Sequence, residues 1–132
     1  MRKPKGNDQT EWWVKNEVKK ILDTTEWKYW MPSADVYGRN GISDFLCVKK
    51  PKLFMVIETK YDNTVTAQQY EFLLEIHKHG HYAFLVDETN LDVLRAFLNA
   101  PTGTMVDITS LIKWQNQNPI VDIRINKEEK KP

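Results

Sequence analysis

The sequence predicts an α/β domain in which a mixed β-sheet, containing a hairpin, is flanked by α-helices. Three observations carry that expectation. The pattern runs helix, hairpin, helix, strand, helix, an order that argues for helices packed against a mixed sheet. The apolar residues of the hairpin do not alternate: Phe45-Leu46-Cys47-Val48 and Leu53 to Ile57 run on without a polar break. Continuous apolar strands belong to sheets covered on both faces. The helical segments also carry start and stop signals at the positions where the pattern changes.

Thr10 is placed to cap a first helix running to about Asp23, whose apolar stripe is Val14, Val18, Ile21 and Leu22. Glu26 to Trp30 reads as extended and aromatic, and Pro32 to Gly41 as a loop with flexible points at Gly38 and Gly41. Asp44–Val48 and Leu53–Lys60 form the hairpin strands, turning through Lys49-Lys50-Pro51-Lys52. Thr66-Ala67-Gln68-Gln69 is a capping box that opens a helix ending at Gly80, with Tyr70, Leu73, Leu74 and His77 facing inward. Tyr82–Val86 is a further strand, and Leu91–Leu98 a third helix capped from Thr89 or Asn90. Met105–Ile108 reads as another strand, Ser110–Trp114 as a short helical turn and Pro119–Ile125 as extended. Residues 1–9 form a loose basic arm, 10–125 one domain, and 126–132 a charged mobile tail.

At 132 residues the chain can bury one real core. Its formal charge of +1 gives no argument for nucleic-acid binding from overall charge, so any such surface must be a local patch. The single cysteine, Cys47, sits in an apolar run and reads as a buried thiol of a reducing cytosol. No apolar stretch approaches a membrane span and none follows the basic N-terminus as in a signal peptide, so a cytoplasmic protein is expected.

The chemistry concentrates around the hairpin. Asp44 and Glu58 are equidistant from Pro51, so an antiparallel pairing through that turn sets them opposite each other. Directly opposed side chains have Cβ atoms about 5 Å apart. Lys60, two residues beyond Glu58, points to the same face. Two acids so close raise one pKa unless a cation lies between them. The natural cation is hard and divalent with oxygen ligands, Mg2+ or Mn2+. In the first helix Glu11 falls within the apolar stripe, while Glu17 lies at its flank, about 85° from the stripe centre. A metal would explain an inward acid, and so would the helix dipole, which favours an acid in the first turn. Asp44 has a structural explanation as a turn cap, Glu58 and Lys60 as a strand ion pair, and Gln69 as the partner of the Thr66 cap.

In order, Glu11-x2-Val14, Tyr37-Gly38-Arg39-Asn40-Gly41-Ile42-Ser43-Asp44, Ile57-Glu58-Thr59-Lys60 and Thr66-Ala67-Gln68-Gln69 resemble the motifs of the VRR-NUC nucleases. That family belongs to the PD-(D/E)XK superfamily, with a restriction-endonuclease-like core, and its short free-standing forms are typical of phages and bacteria. The resemblance covers roughly residues 10 to 95. It implies metal ligation by Asp44 and Glu58, by the Thr59 carbonyl and by Glu11 in preference to Glu17. It gives Lys60 the positioning or deprotonation of the attacking water, sets Gln69 near the active site, and makes Tyr37 and Arg39 part of a DNA-facing loop before the catalytic Asp. Ser43 departs from the pattern, standing where the family usually has Pro. The implied activity is Mg2+-dependent hydrolysis of DNA phosphodiesters, with Mn2+ as a substitute and with 5′-phosphate and 3′-hydroxyl products. Stand-alone members are associated with branched DNA such as four-way junctions, and symmetric cleavage of a junction calls for a homodimer.

Lysine runs supply candidate phosphate contacts. Lys15, Lys19 and Lys20 are expected on the outer part of the first helix, and Lys49, Lys50 and Lys52 fill the hairpin turn. Lys15, Lys49 and Lys50, with Tyr37 and Arg39, are the expected DNA contacts. No sequence-reading motif is present, so recognition of DNA shape is expected. His77, His79 and His81 diverge around a helix end and read as a structural cluster rather than a metal site. Trp12, Trp13, Trp27 and Trp30 crowd the N-terminal third, as packing, as stacking surfaces or as a homodimer face. The competing readings are a less selective nickase or flap nuclease, a DNA-binding accessory that has lost activity, and an α/β interaction module.

Overall fold

The computed structural model describes residues 10–32, 43–101 and 103–117. The expectations for the basic arm, for the loop bearing Tyr37 and Arg39, and for the extended stretch and tail after 117 lie outside the described residues.

Helix α1 (Glu11–Asp23) begins where expected, with the Thr10 hydroxyl accepting from the Trp13 N–H. Strands β1 (Lys28–Trp30), β2 (Phe45–Lys49) and β3 (Leu53–Thr59) follow, then α2 (Ala67–Lys78), β4 (Tyr82–Val86), α3 (Leu91–Asn99) and a 3-10 helix (Thr109–Asn116). The sheet has the order β1-β2-β3-β4, antiparallel at its first two junctions and parallel at the third. It is thus a mixed sheet containing a hairpin, flanked by helices.

Strand alternation sorts the side chains into two cores. Phe45, Cys47, Met55, Ile57, Phe84 and Val86 face one side, against Val14, Val18, Ile21 and Leu22 of α1 and Leu91, Leu94 and Leu98 of α3. Val56, Ala83 and Leu85 face the other side, against Leu73 of α2 and Trp114 of the 3-10 helix. Trp114 is wholly buried, and its Nε1–H donates to the Ala83 carbonyl at 2.8 Å, so the indole leaves no donor unpaired. Cys47 is buried in the first core, and that burial pushes its thiol up to about 12, so it stays protonated and unreactive near neutrality.

Two expectations are corrected here. Met105–Ile108 is not a strand. Met105 is 94% exposed, and the segment docks through Ile108 without joining the ladder. Asp107 then accepts from the Thr109 N–H and hydroxyl and turns the chain into the 3-10 helix. Coverage of both sheet faces also fails at the hairpin tip. Among the described residues Val48 is exposed on the face that α2 and the 3-10 helix cover, because both pack chiefly on β4, and Leu53 is exposed on the opposite face.

Candidate active site

The register pairs Phe45 with Ile57 at the last rung of the β2–β3 ladder, so Asp44 and Glu58 flank the next position. The Asp44 carboxylate does more than face its neighbour. Its Oδ2 accepts from the Thr59 N–H at 2.8 Å and from the Thr59 hydroxyl at 2.6 Å, which locks Asp44 to the end of β3. Lys60 leaves β3 beside β4, its N–H donating to the Val86 carbonyl at 3.0 Å. The first turns of α1 reach the same strand ends. Glu11 Oε1 lies 4.0 Å from Lys60 Nζ, and Lys15 Nζ lies 3.3 Å from Asp44 Oδ1 and 3.9 Å from Glu11 Oε2.

Glu58 is the buried member of this group. It is 2% exposed, and its Oε1 finds no hydrogen-bond partner among the described residues. Burial is the largest cause that pushes its carboxyl up, to about 9. The Asp44 carboxylate adds to the rise, Lys60 opposes it, and Glu11 and Lys15 act in the same two senses more weakly. Burial likewise raises Glu11, with Asp44 adding and with Lys60 and Lys15 opposing. A carboxyl that is buried, unpaired and set among other acids is the electrostatic pattern of a functional cluster.

The structure therefore brings together Glu11, Asp44, Glu58, Thr59 and Lys60. Glu17 is elsewhere, paired with Lys20 at 3.0 Å. Gln69 is engaged as a helix cap: its Oε1 accepts from the Thr66 N–H at 2.9 Å, while its own N–H donates to the Thr66 hydroxyl at 3.2 Å. Lys15 corrects the expectation that it shares the outer face of α1 with Lys19 and Lys20. It stands one turn beyond Glu11 and reaches over to Asp44, because an ammonium is stabilised by two nearby carboxylates. Sequence reasoning overlooked this counter-ion, although the Glu11–Lys15 spacing of four was a visible signal. Lys50 is exposed and Lys49 half-exposed at the hairpin, away from the acids. Ser43 is buried with its hydroxyl lacking a partner among the described residues.

As the side chains lie, no three His, Cys, Asp or Glu among the described residues form a ready metal cage. The donor chemistry nonetheless fits a hard divalent cation. Glu11, Asp44 and Glu58 supply carboxylate oxygens, and the orphaned Glu58 Oε1 is an acceptor without a donor. The three histidines are spent on other contacts. His77 packs edge-on against Trp114, the His79 ring meets the Glu75 carbonyl, and His81 packs on Phe54.

Comparison with protein-family models finds no match, and comparisons with curated proteins and with solved structures find none either. Among the described residues no helix is long and apolar enough to cross a membrane.

Proposed function

We propose that this domain is a divalent-metal-dependent DNA endonuclease of the VRR-NUC type, with a restriction-endonuclease-like core, acting on branched DNA as a homodimer. The observation that carries the reading is the buried, unpartnered Glu58 carboxyl set beside Asp44 and Lys60 at the hairpin's end. Glu58, Asp44 and Glu11 are the side chains that would hold Mg2+, with the Thr59 carbonyl as the backbone ligand the resemblance adds. A bound Mg2+ would supply charge for the phosphate and a more acidic water. Lys60, 7% exposed and 4.0 Å from Glu11, would offer its ammonium to a phosphoryl oxygen in the transition state. We assign it an electrostatic and orienting role. Two bonds from Thr59 hold the Asp44 carboxylate in place at the end of β3. Trp12, 70% exposed on α1, favours the homodimer.

One observation favours a second reading, a DNA-binding accessory without activity. Lys15 already sits against Asp44 and Glu11, so the acids are partly compensated without a metal. Cleavage of end-labelled four-way junction, flap and linear duplex DNA separates the two, run in Mg2+ and in EDTA. Paired Mg2+-dependent cuts are expected in the junction, and Lys60→Ala should lower the rate by about 10²-fold or more. Cuts spread over flaps and linear duplex would instead indicate a less selective nuclease. Junction binding without cleavage in either Mg2+ or Mn2+ would leave the accessory reading.

A further inference from the structure

The uncovered end of the hairpin is a groove of about 770 Å³ that the chemistry of the acid cluster does not use. Lys28, Lys49, Lys50 and Lys52 line it, with Val48 and Phe54 among the apolar residues of its floor. Among the described residues its single acidic lining residue is Glu26. None of the four ammonium groups makes an ion pair with a carboxylate among the described residues. Like charges gathered without counter-ions repel one another, so this patch is electrostatically suited to a polyanion.

The groove and the acid cluster are connected by one sheet face. Asp44, Leu46 and Val48 alternate onto one face along the line of β2, whereas over β3 the same face is covered and Val56 is wholly buried. The register sets Val48 against both Phe54 and Lys28, and Leu46 against both Val56 and Trp30. Over β1 and β2 that face therefore runs from the lysine groove, past Trp30, toward Asp44. Trp30 is 59% exposed in the middle of it, and Leu46 is only half-buried. An exposed indole on a strand, flanked by lysines on one side and by a candidate phosphodiesterase site on the other, can stack on an unpaired base. From Leu53 to Glu58 is five residues, or about 17 Å at the rise of a strand. Phosphates advance about 3.4 Å per nucleotide along one strand of duplex DNA. The lysines are thus set to meet phosphates roughly five nucleotides from the one at Glu58.

We propose that this face of β1 and β2, beside the helices that cover it over β3, is a DNA track. One duplex arm lies against the hairpin lysines, and a base exposed at a branch or nick stacks on Trp30 near the cleaved phosphate. The track rests on the nuclease reading and gives it a direction: the protein contacts DNA some five nucleotides to one side of the cut.

The test is fluorescence anisotropy with labelled four-way junction and linear duplex, in EDTA, over a range of NaCl concentrations. The full chain is compared with the triple variant Lys49→Gln, Lys50→Gln, Lys52→Gln and with Trp30→Ala. These side chains lie at the exposed tip and edge, and unchanged thermal melting confirms folding. The slope of log K against log salt should fall by roughly 2 to 3 in the triple variant, because each lost phosphate contact is worth about 0.9. Trp30→Ala should weaken junction binding roughly tenfold and linear duplex binding far less. An unchanged slope in the triple variant, with the wild type still cutting in Mg2+, overturns the track and spares the nuclease. The expected slope change with no cleavage by any form upholds DNA binding at the hairpin lysines and sinks the nuclease, and with it the track's relation to a cut. Binding of a polyaspartate peptide in preference to DNA overturns the track in favour of an acidic protein partner.

Discussion

Glu58 has the residue-scale property with the clearest measurable consequence. Its carboxyl, ordinarily near 4.5, is raised to about 9 in the folded chain, so folding takes up a proton between those values. The sign follows from linkage. The native state holds the proton more tightly, so this group's contribution is fully present below 4.5 and is lost as pH rises through 9. In EDTA the melting temperature of the wild type should therefore fall from pH 5 to pH 9. Glu58→Gln, neutral throughout, should flatten that dependence and melt roughly 5–10 °C higher than wild type at pH 8. Parallel pH profiles for the two proteins would show that Glu58 is not the buried titrating acid. Asp87 is shifted in the opposite direction. Burial raises it, but bonds from Lys113 and Thr89 outweigh burial and hold it below the usual carboxylate range. Its role is to tie the turn after β4 to the 3-10 helix.

At the scale of elements, the start of α2 decides what Gln69 does. Gln69 is half of a complete capping box, and nothing else in the described structure engages its side chain. Thr66→Ala should cost about 1 kcal/mol of stability by leaving a helix N–H without its acceptor, read from urea unfolding. Gln69→Ala should destabilise by a similar amount. If Gln69 also assists chemistry, its variant will lose cleavage rate well beyond that of Thr66→Ala at equal stability. Equal rates would leave it a cap alone. The 3-10 helix is the other decisive element, because Trp114 fills the second core between α2 and β4. Trp114→Ala should cost about 3–5 kcal/mol, a loss large enough to unfold a marginal domain and visible in the same urea experiment.

The arrangement of the whole molecule sets the acid cluster and the lysine groove at opposite ends of one hairpin. The acids and Lys60 stand at the end of the ladder where α1 arrives, and the lysine groove stands at the turn, where no helix among the described residues covers the sheet. Trp12 lies on α1, 70% exposed. Trp12→Glu should convert a dimer to a monomer in sedimentation velocity, and abolish paired junction cuts while single nicks persist. A wild type that sediments as a monomer with and without junction DNA would remove the homodimer from the proposal.

The sequence by itself determined the strands of the hairpin and their register, since the symmetric placement of Asp44 and Glu58 about Pro51 needs only the geometry of a turn. It also determined α1, α2 and β4, whose periodicity and caps are local signals written in adjacent residues. Glu11 could be placed on the inward side of α1 but not assigned a neighbour, because helical periodicity gives a direction and no distance. Only the tertiary structure decided that α1 delivers Glu11 to Lys60 and Lys15 to Asp44. It decided that Met105–Ile108 docks without pairing, because a short apolar run carries no information about whether a strand edge is available to it. It decided as well that the hairpin tip is left open by the described residues and that Trp30, extended and aromatic in either account, is exposed two residues along β1 from Lys28 of the groove. Local pattern specifies what each segment can form; which charges meet and which surfaces remain bare depend on contacts between residues far apart in the chain.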